Sequence, residues 1–218
     1  MKLVTFQTLK AYNKLIENGY LIVDPSYINI KKYGVPYNWI VNKMNNINNP
    51  YKASYPLWSW YSYGKIPHPR KNTLLPFFDE DNQIVKITFQ KDDKDVLLTD
   101  FVKYCFMLTN EYLPSSQEDY IYFNNLMKDN KVTKDDLIKY IRRDKYDNYR
   151  NDKTFNRINN LIQQSYDRVL NISSTYIQAT IWDIKKEDII SIEFIKKEDC
   201  DKRKNTIDYR KKYISTLK

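Results

Sequence analysis

The scarcity of glycine is the feature that most constrains the fold of this chain. Only three glycines, Gly19, Gly34 and Gly64, occur among the 218 residues. A Gly-rich dinucleotide turn and a phosphate-cradling loop both need several closely spaced glycines, because the backbone there must approach the phosphates and bend sharply. Those two nucleotide-binding architectures are therefore excluded.

The order of the predicted elements indicates an α+β fold. Hydrophobic patterns predict strands over residues 2–6, 20–23, 57–61, 84–90, 176–184 and 189–195. Helical spacing predicts helices over residues 9–18, 37–47, 99–110, 117–128 and 155–170, with a further one after Thr133. The predicted capping residues are Thr8, Thr99, Ser115 and Thr133, and Gly19 is expected to end the first helix. We therefore expect a mixed or antiparallel sheet packed by helices, in a single domain over residues 1–196 with a charged tail over 197–218. The last two strands are rich in β-branched residues and are expected to be central in the sheet.

One segment concentrates the aromatic residues. Residues 55–70 hold two of the four tryptophans, the only histidine and one of the three glycines. Large rings are costly to leave in water, yet the prolines and the basic residues Lys65 and Arg70 do not suit a core strand. The segment therefore predicts one wall of a pocket that stacks a flat, anionic ligand. The alternative is that the tryptophans, Trp182 included, fill a core that lacks small residues.

Charge is distributed unevenly along the chain, whose formal net charge is +9. Residues 1–76 carry ten lysines and arginines against two acids, whereas residues 77–127 carry four against ten. A positive field over the first third would concentrate a phosphate-bearing partner near the aromatic segment. A biased genome composition, rich in Lys, Asn, Ile and Tyr, is the alternative explanation.

Composition also limits the cellular location and the metal sites that the sequence predicts. No run of about 18 apolar residues exists, so no membrane partner is expected. The opening residues become polar too early for a signal peptide, which predicts a cytoplasmic protein. Cys105, Cys200 and His68 are the only Cys and His residues, fewer than the roughly four ligands of a structural zinc site. No metal is therefore expected.

The first elements of the chain resemble the start of compact ADP-ribosyltransferase-like domains. The match consists of Thr5-Phe6-Gln7, a helix and then Asn18-Gly19-Tyr20-Leu21, with a late strand at Gln178-Ala179-Thr180-Ile181. This resemblance implies NAD as the ligand and a nucleic acid or a protein as the acceptor. It implies that a polar residue of the first strand orients the ligand. It also implies that a second strand supplies an aromatic residue and a hydroxyl, which here could be Tyr61 and Ser59.

Together, the aromatic segment and this resemblance define the candidate site. Catalytic roles fall on Gln178, which would take the ribose, and on Tyr61, which would stack on the ligand unless Trp60 does so. Ligand contacts are expected from seven further residues: Thr5, Gln7, Trp58, Ser59, Trp60, His68 and Arg70.

The late strand departs from the pattern of such transferases. The group that meets the ribose as positive charge develops is usually a carboxylate, whereas Gln178 is neutral. Other groups such as Asp183 or Glu193 could supply the charge, or the domain could bind without turnover. Alternatively, Gln178 and Thr180 are polar groups satisfied within the sheet.

Most of the chain also resembles an uncharacterised bacterial and phage family, a DUF3841-like domain of unknown function. The matching residues are Pro56, Trp58, Trp60, Leu98, Asp100, Gln178, Ala179 and Trp182. This resemblance implies no activity.

Other functions remain open from the sequence. Stacked rings and a basic first third are typical of a protein that binds nucleic acid without catalysis. The chain could instead be an interaction protein in phage–host conflict. Asp183 and Lys185 at a strand end suit a metal-dependent phosphodiesterase, although no second acid stands out upstream. A catalytic triad would have to use His68, which lies between two prolines.

Overall fold

The computed structural model describes residues 1–70, 74, 78, 82–137, 153–200 and 208–217, with only the backbone of Lys31. Contacts divide the chain into two compact units. The described residues of the first unit fall within 1–28, 38–100 and 172–207, and those of the second fall within 29–37, 101–171 and 208–218. The domain boundaries expected above stay a prediction, and residues 201–207 of the expected tail lie outside the described residues.

Eight strands and six helices form the framework of the described chain. The strands are β1 (Lys2–Thr8), β2 (Tyr20–Leu21), β3 (Leu57–Tyr63), β4 (Gln83–Gln90), β5 (Leu97–Asp100), β6 (Tyr176–Ile181), β7 (Ile184–Lys185) and β8 (Ile189–Lys196). The helices are α1 (Leu9–Asn18), α2 (Ile30–Lys43), α3 (Phe101–Leu108), α4 (Gln117–Asp129), α5 (Lys153–Ser165) and α6 (Tyr209–Ile214). A helical turn covers residues 134–137, and the rest of the helix expected there lies outside the described residues.

All the strands belong to the first unit and pair antiparallel. The larger sheet has six strands in the order β5-β6-β3-β1-β4-β8, and β2 pairs with β7 in a separate two-stranded sheet. The predicted α+β fold with an antiparallel sheet and helices is confirmed. The prediction of a central position for both late strands is wrong for β8, which lies at the edge. High β-propensity describes a residue that suits a pleated surface and does not determine the order of strands.

One face of the six-stranded sheet packs against α1, and we call it the helix face. Its core joins Leu15 of α1 to sheet residues such as Leu3, Leu57 and Ala179, each at most 5% exposed. Side chains alternate between faces along a strand, so Trp58 and Trp60 project from the opposite face. We call that opposite face the tryptophan face. A smaller apolar cluster covers part of it, formed by Phe6, Leu74, Phe78, Ile84, Ile195 and Cys200.

Local signals set the ends of α1 as predicted. The Thr8 hydroxyl accepts a hydrogen bond from the Ala11 amide at 3.1 Å, and Gly19 ends the helix with a φ of 80°. The positive φ suits glycine because it carries no Cβ. The signal before α4 is displaced by one residue, since Ser116 caps the helix and its hydroxyl accepts from the Asp119 amide.

Two helix boundaries differ from the prediction. Helix α2 begins at Ile30, several residues before the expected start at 37, because the Asn29 side chain accepts a hydrogen bond from the Lys32 amide and caps the chain there. Thr99, expected to cap a helix, lies in β5 opposite Gln178 instead. Pairing with β6 extends the strand through Thr99, and α3 begins only at Phe101.

The second unit is helical and is organised around α3 and the half-buried carboxylate of Asp119. Most of α3 is buried, Lys103 included, whose amine donates to the Asn171 carbonyl. Asp119 accepts hydrogen bonds from the Tyr112 hydroxyl at 2.7 Å, the Ser115 amide at 2.8 Å and the Arg168 guanidinium at 3.0 Å. Within the described ranges, no helix combines the length and hydrophobicity needed to cross a bilayer.

Candidate functional site

The six-stranded sheet brings together three of the predicted site residues on its tryptophan face. Trp60 lies directly opposite Gln178 of β6, and Trp58 lies opposite Thr180 of the same strand. On the other side of β6, Thr99 also lies opposite Gln178. Cross-strand partners share a face, with Cβ atoms about 4.5–5.5 Å apart. Two indoles, a carboxamide and two hydroxyls therefore occupy one patch of the sheet.

Three oxygens in this patch lack the hydrogen bonds that buried polar atoms normally make. They are Oγ1 of Thr99, Oε1 of Gln178 and Oγ1 of Thr180, none of which has a partner among the described residues. Thr99 and Thr180 are each 0% exposed. Most buried polar atoms in proteins are paired, and leaving one unpaired costs about 1–3 kcal/mol. Among the described residues, the expectation that these groups are satisfied within the sheet fails for the Thr180 hydroxyl and for Oε1 of Gln178.

A row of aromatic rings continues the patch towards the end of β3. The Tyr63 ring meets Trp60 edge to face at 4.9 Å and meets Tyr176 at 5.0 Å, with interplanar angles close to 90°. Gly64 follows with a φ of 68°, and a Cβ at that position would lie 3.4 Å from the Tyr176 ring. The glycine therefore allows the chain to turn tightly beside the ring.

Three other predicted residues lie on the helix face. The Thr5 hydroxyl donates to the Trp58 carbonyl at 2.8 Å and accepts from the Gln7 carboxamide at 2.8 Å. The Ser59 hydroxyl donates to the Ala179 carbonyl at 3.0 Å. These hydroxyls link neighbouring strands, and they are separated from the indole and carboxamide side chains by the thickness of the sheet.

The remaining predicted residues are dispersed around β3. Tyr61 is 44% exposed and lies at an irregularity in the pairing of β3 with β6. The His68 ring packs edge to face on Phe6 at 5.6 Å, and Arg70 is exposed. Two cavities of about 520 and 210 Å³ are described, and other residues line both of them.

A buried ion pair forms a second constellation in the same unit. The Lys91 amine donates to Oδ1 of Asp183 at 2.8 Å, and the side chains are 9% and 3% exposed. Lys91 directly follows β4, and its amide donates to the Met1 carbonyl at 2.9 Å. Asp183 lies between two buried apolar residues, Trp182, which follows β6, and Ile184 at the start of β7. Backbone pairing and apolar burial therefore fix both charges in place.

This ion pair lines the smaller cavity, of about 210 Å³, which we call the aspartate cavity. Its lining residues are Asn48, Pro50, Gln90, Lys91, Asp92, Asp95, Asp183, Lys185 and Asp188. Burial raises the pKa of the Asp188 carboxyl above its usual value, although Lys91 acts in the opposite direction. Attraction to Glu187 raises the pKa of the Lys185 amine. The cavity thus combines four carboxylates with two amines.

Sequence reasoning found Asp183 and Lys185 but missed the other charged groups of the aspartate cavity. Asp92 and Asp95 belong to an acidic turn that looks like an ordinary solvated loop in the sequence. Lys91 stands next to them, 92 residues before its partner Asp183. Among the residues that the structure describes, no three His, Cys, Asp or Glu side chains are grouped so as to hold a metal ion.

Comparison with known families supports the resemblance to a DUF3841-like domain. The family described as "Domain of unknown function (DUF3841)" matches residues 2–190. The chain belongs to this family. The match includes β1 to β7, the tryptophan face and the aspartate cavity of this DUF3841 chain. No curated protein and no solved structure matches it.

Proposed function

We propose that this DUF3841 chain binds an NAD-type nucleotide on its tryptophan face and acts as an ADP-ribosyltransferase-like domain towards a nucleic acid or protein acceptor. The observation that carries the proposal is the group of unpaired oxygens on Thr99, Gln178 and Thr180 beside the indoles of Trp58 and Trp60.

The hydrogen-bonding capacity of the patch suits such a ligand. Oε1 of Gln178 can only accept a hydrogen bond, whereas the hydroxyls of Thr99 and Thr180 can each donate and accept. All three oxygens are buried, so the proposal requires the side chains over the patch to move when the nucleotide binds. A nicotinamide carboxamide and ribose hydroxyls carry complementary donors and acceptors. The half-buried rings of Trp58 and Trp60 offer apolar contact to a base, and stacking of this kind is worth about 1–3 kcal/mol per base.

The residues of the patch support binding more strongly than group transfer. A transferred ADP-ribosyl group develops positive charge at the ribose, which a carboxylate stabilises best. Gln178 can orient a ribose by hydrogen bonding but carries no charge. We therefore expect the chain to bind NAD measurably but to release nicotinamide slowly.

Titration calorimetry of the folded chain with NAD tests the binding step. We expect saturable binding and a loss of affinity of about tenfold or more in Gln178→Ala, equivalent to about 1.4 kcal/mol for one lost hydrogen bond. Gln7→Ala is the matched control, since it removes the same side chain from the helix face of the same sheet. It is expected to change the affinity by less than about twofold, within the effect of an ordinary surface substitution.

Equal loss in both variants, or no heat of binding by folded wild-type protein, would overturn the nucleotide site. Release of nicotinamide in the presence of single-stranded DNA or protein acceptors tests the transfer step separately. Binding without any release would retain the nucleotide site and refute the transferase. Oligonucleotide binding that weakens steeply with salt, without NAD binding, would favour the non-enzymatic nucleic-acid-binding alternative.

A further inference from the structure

We propose that this DUF3841 chain forms a two-fold symmetric dimer in which β8 pairs antiparallel with β8 of a second copy. Ile192 lies at the symmetry axis of this dimer, and the six-stranded sheets of the two copies join into one. The proposal depends on the outer edge of β8, on its exposed apolar side chains and on the charges at its two ends. It does not depend on the nucleotide site.

Strand β8 offers one backbone edge to a further strand. It is the last strand of the six-stranded sheet and, within the described residues, pairs only with β4. The Lys197 amide donates at 2.9 Å to the carbonyl of Asn82, the residue before β4. Backbone amides alternate between the two edges of an antiparallel strand, so those of Phe194 and Ile192 point away from β4. An edge of this kind is a template for another strand.

Large apolar side chains at alternate positions of β8 are in contact with solvent. Ile190, Ile192 and Phe194 are 52%, 36% and 48% exposed. The last two lie on the helix face, opposite buried residues of β4. The Phe194 ring meets Tyr12 of α1 edge to face at 5.4 Å, so these side chains continue the core at the edge of the sheet. Exposed apolar residues grouped on an edge strand mark a site of association. A second copy covers them, because it places Ile192 against Ile192 and Ile190 against Phe194.

Two copies of one charged sequence flank β8. Lys-Lys-Glu-Asp occurs at residues 185–188 and again at 196–199, and we call these the KKED segments. Each forms a 3₁₀ turn, and in each the first lysine pairs with the glutamate, at 3.6 Å in the first segment and 3.5 Å in the second. Exposed ion pairs of this kind contribute less than about 1 kcal/mol. The same side chains can therefore pair with another chain at little cost.

The charges of the KKED segments select a second copy in the antiparallel orientation. A two-fold axis at Ile192 places Asp188 opposite Lys196 of the second copy. In the same way Glu187 comes opposite Lys197, and each contact occurs twice because the interface is symmetric. Parallel pairing in register would instead place lysine against lysine and acid against acid, which is destabilising. The chain thus carries the charges that complement its own edge strand.

Sedimentation equilibrium of the full chain over a range of concentrations tests the dimer. We expect a species with twice the mass of one chain. Its dissociation constant should rise about tenfold or more in Ile192→Lys, because the two introduced charges meet at the axis. Ile121→Lys is the matched control, since it makes the same change at an isoleucine of α4 that is 49% exposed. It should change the dissociation constant by less than about twofold, as an ordinary surface substitution does.

Charge exchange between two single variants tests the orientation. Lys197→Glu and Glu187→Lys each place like charges opposite each other at both symmetric contacts, and each should weaken the dimer about threefold or more. An equimolar mixture of the two variants should form a heterodimer with an affinity within about twofold of that of wild type, because both contacts again join opposite charges.

Two results would overturn the dimer. One is a wild-type chain that stays monomeric at every concentration, and the other is a dimer that Ile192→Lys weakens no more than Ile121→Lys. A mixture of Lys197→Glu and Glu187→Lys that associates no more strongly than either variant alone would refute the antiparallel pairing. NAD binding is measured on the tryptophan face, so the dimer and the nucleotide site can fail separately.

Discussion

Asp100 and Asp183 are both buried aspartates of the sheet unit, exposed by 0% and 2%, yet their surroundings differ sharply. Asp100 accepts hydrogen bonds from the Ser173 amide at 3.0 Å, the Ser174 amide at 2.9 Å and the Ser174 hydroxyl at 2.8 Å. Asp183 accepts one hydrogen bond, from Lys91. The first carboxylate holds a loop in place, whereas the second pairs with a buried amine at the edge of the aspartate cavity.

This contrast shows how the role of a buried polar group can be recognised. Burial alone does not tell what a carboxylate does, because both aspartates are equally hidden from solvent. Their hydrogen-bond partners do, since Asp100 accepts from backbone amides and a hydroxyl, whereas Asp183 accepts from a buried amine that balances its charge. The same criterion distinguishes the bonded hydroxyl of Ser59 from the unpaired hydroxyl of Thr180.

Removing the cation of the buried pair should give the largest effect. Lys91→Met leaves the Asp183 carboxylate buried without a counter-charge, and we expect the free energy of unfolding to fall by about 3–5 kcal/mol. Urea denaturation at neutral pH measures this change. The double variant Lys91→Met/Asp183→Leu removes both charges and should recover most of the loss. If the single variant is as stable as wild type, the pair is not buried as described.

The loop-holding role of Asp100 predicts the next largest effect. Asp100→Ala leaves the amides of Ser173 and Ser174 without their acceptor, and we expect a loss of about 2–4 kcal/mol in the free energy of unfolding. Asp100→Asn keeps one acceptor oxygen and should lose less. The same urea titration compares the two variants, and equal losses would show that charge rather than hydrogen bonding holds the loop.

Paired and unpaired hydroxyls should give the smallest and most discriminating difference. Ser59→Ala removes a hydrogen bond to the Ala179 carbonyl and should cost about 1 kcal/mol. Thr180→Val replaces a buried hydroxyl that has no partner, so it should leave the stability of the ligand-free chain unchanged or raise it by up to about 1 kcal/mol. Thermal and urea unfolding of both variants measure the contrast. A larger loss in Thr180→Val than in Ser59→Ala would contradict the assignment of an unpaired hydroxyl.

Much of the secondary structure could be predicted because its signals are local. The cap at Thr8, the helix end at Gly19 and the strand near Leu57 each depend on a few neighbouring residues. The candidate site was predicted only in part. Alternation along β1 and β3 places Thr5 and Ser59 on the face opposite Trp60, and the pairing that determines the shared face involves strands distant in sequence.

By itself, the sequence determined the α+β class, most of the strands and helices, and the absence of Gly-rich phosphate loops, because periodicity, capping and glycine content act over short distances. The tertiary structure alone decided that Trp60 lies opposite Gln178 and that Lys91 pairs with Asp183, 92 residues away. Such contacts depend on strand order and register, which are selected by burial of the whole sheet rather than by any one segment.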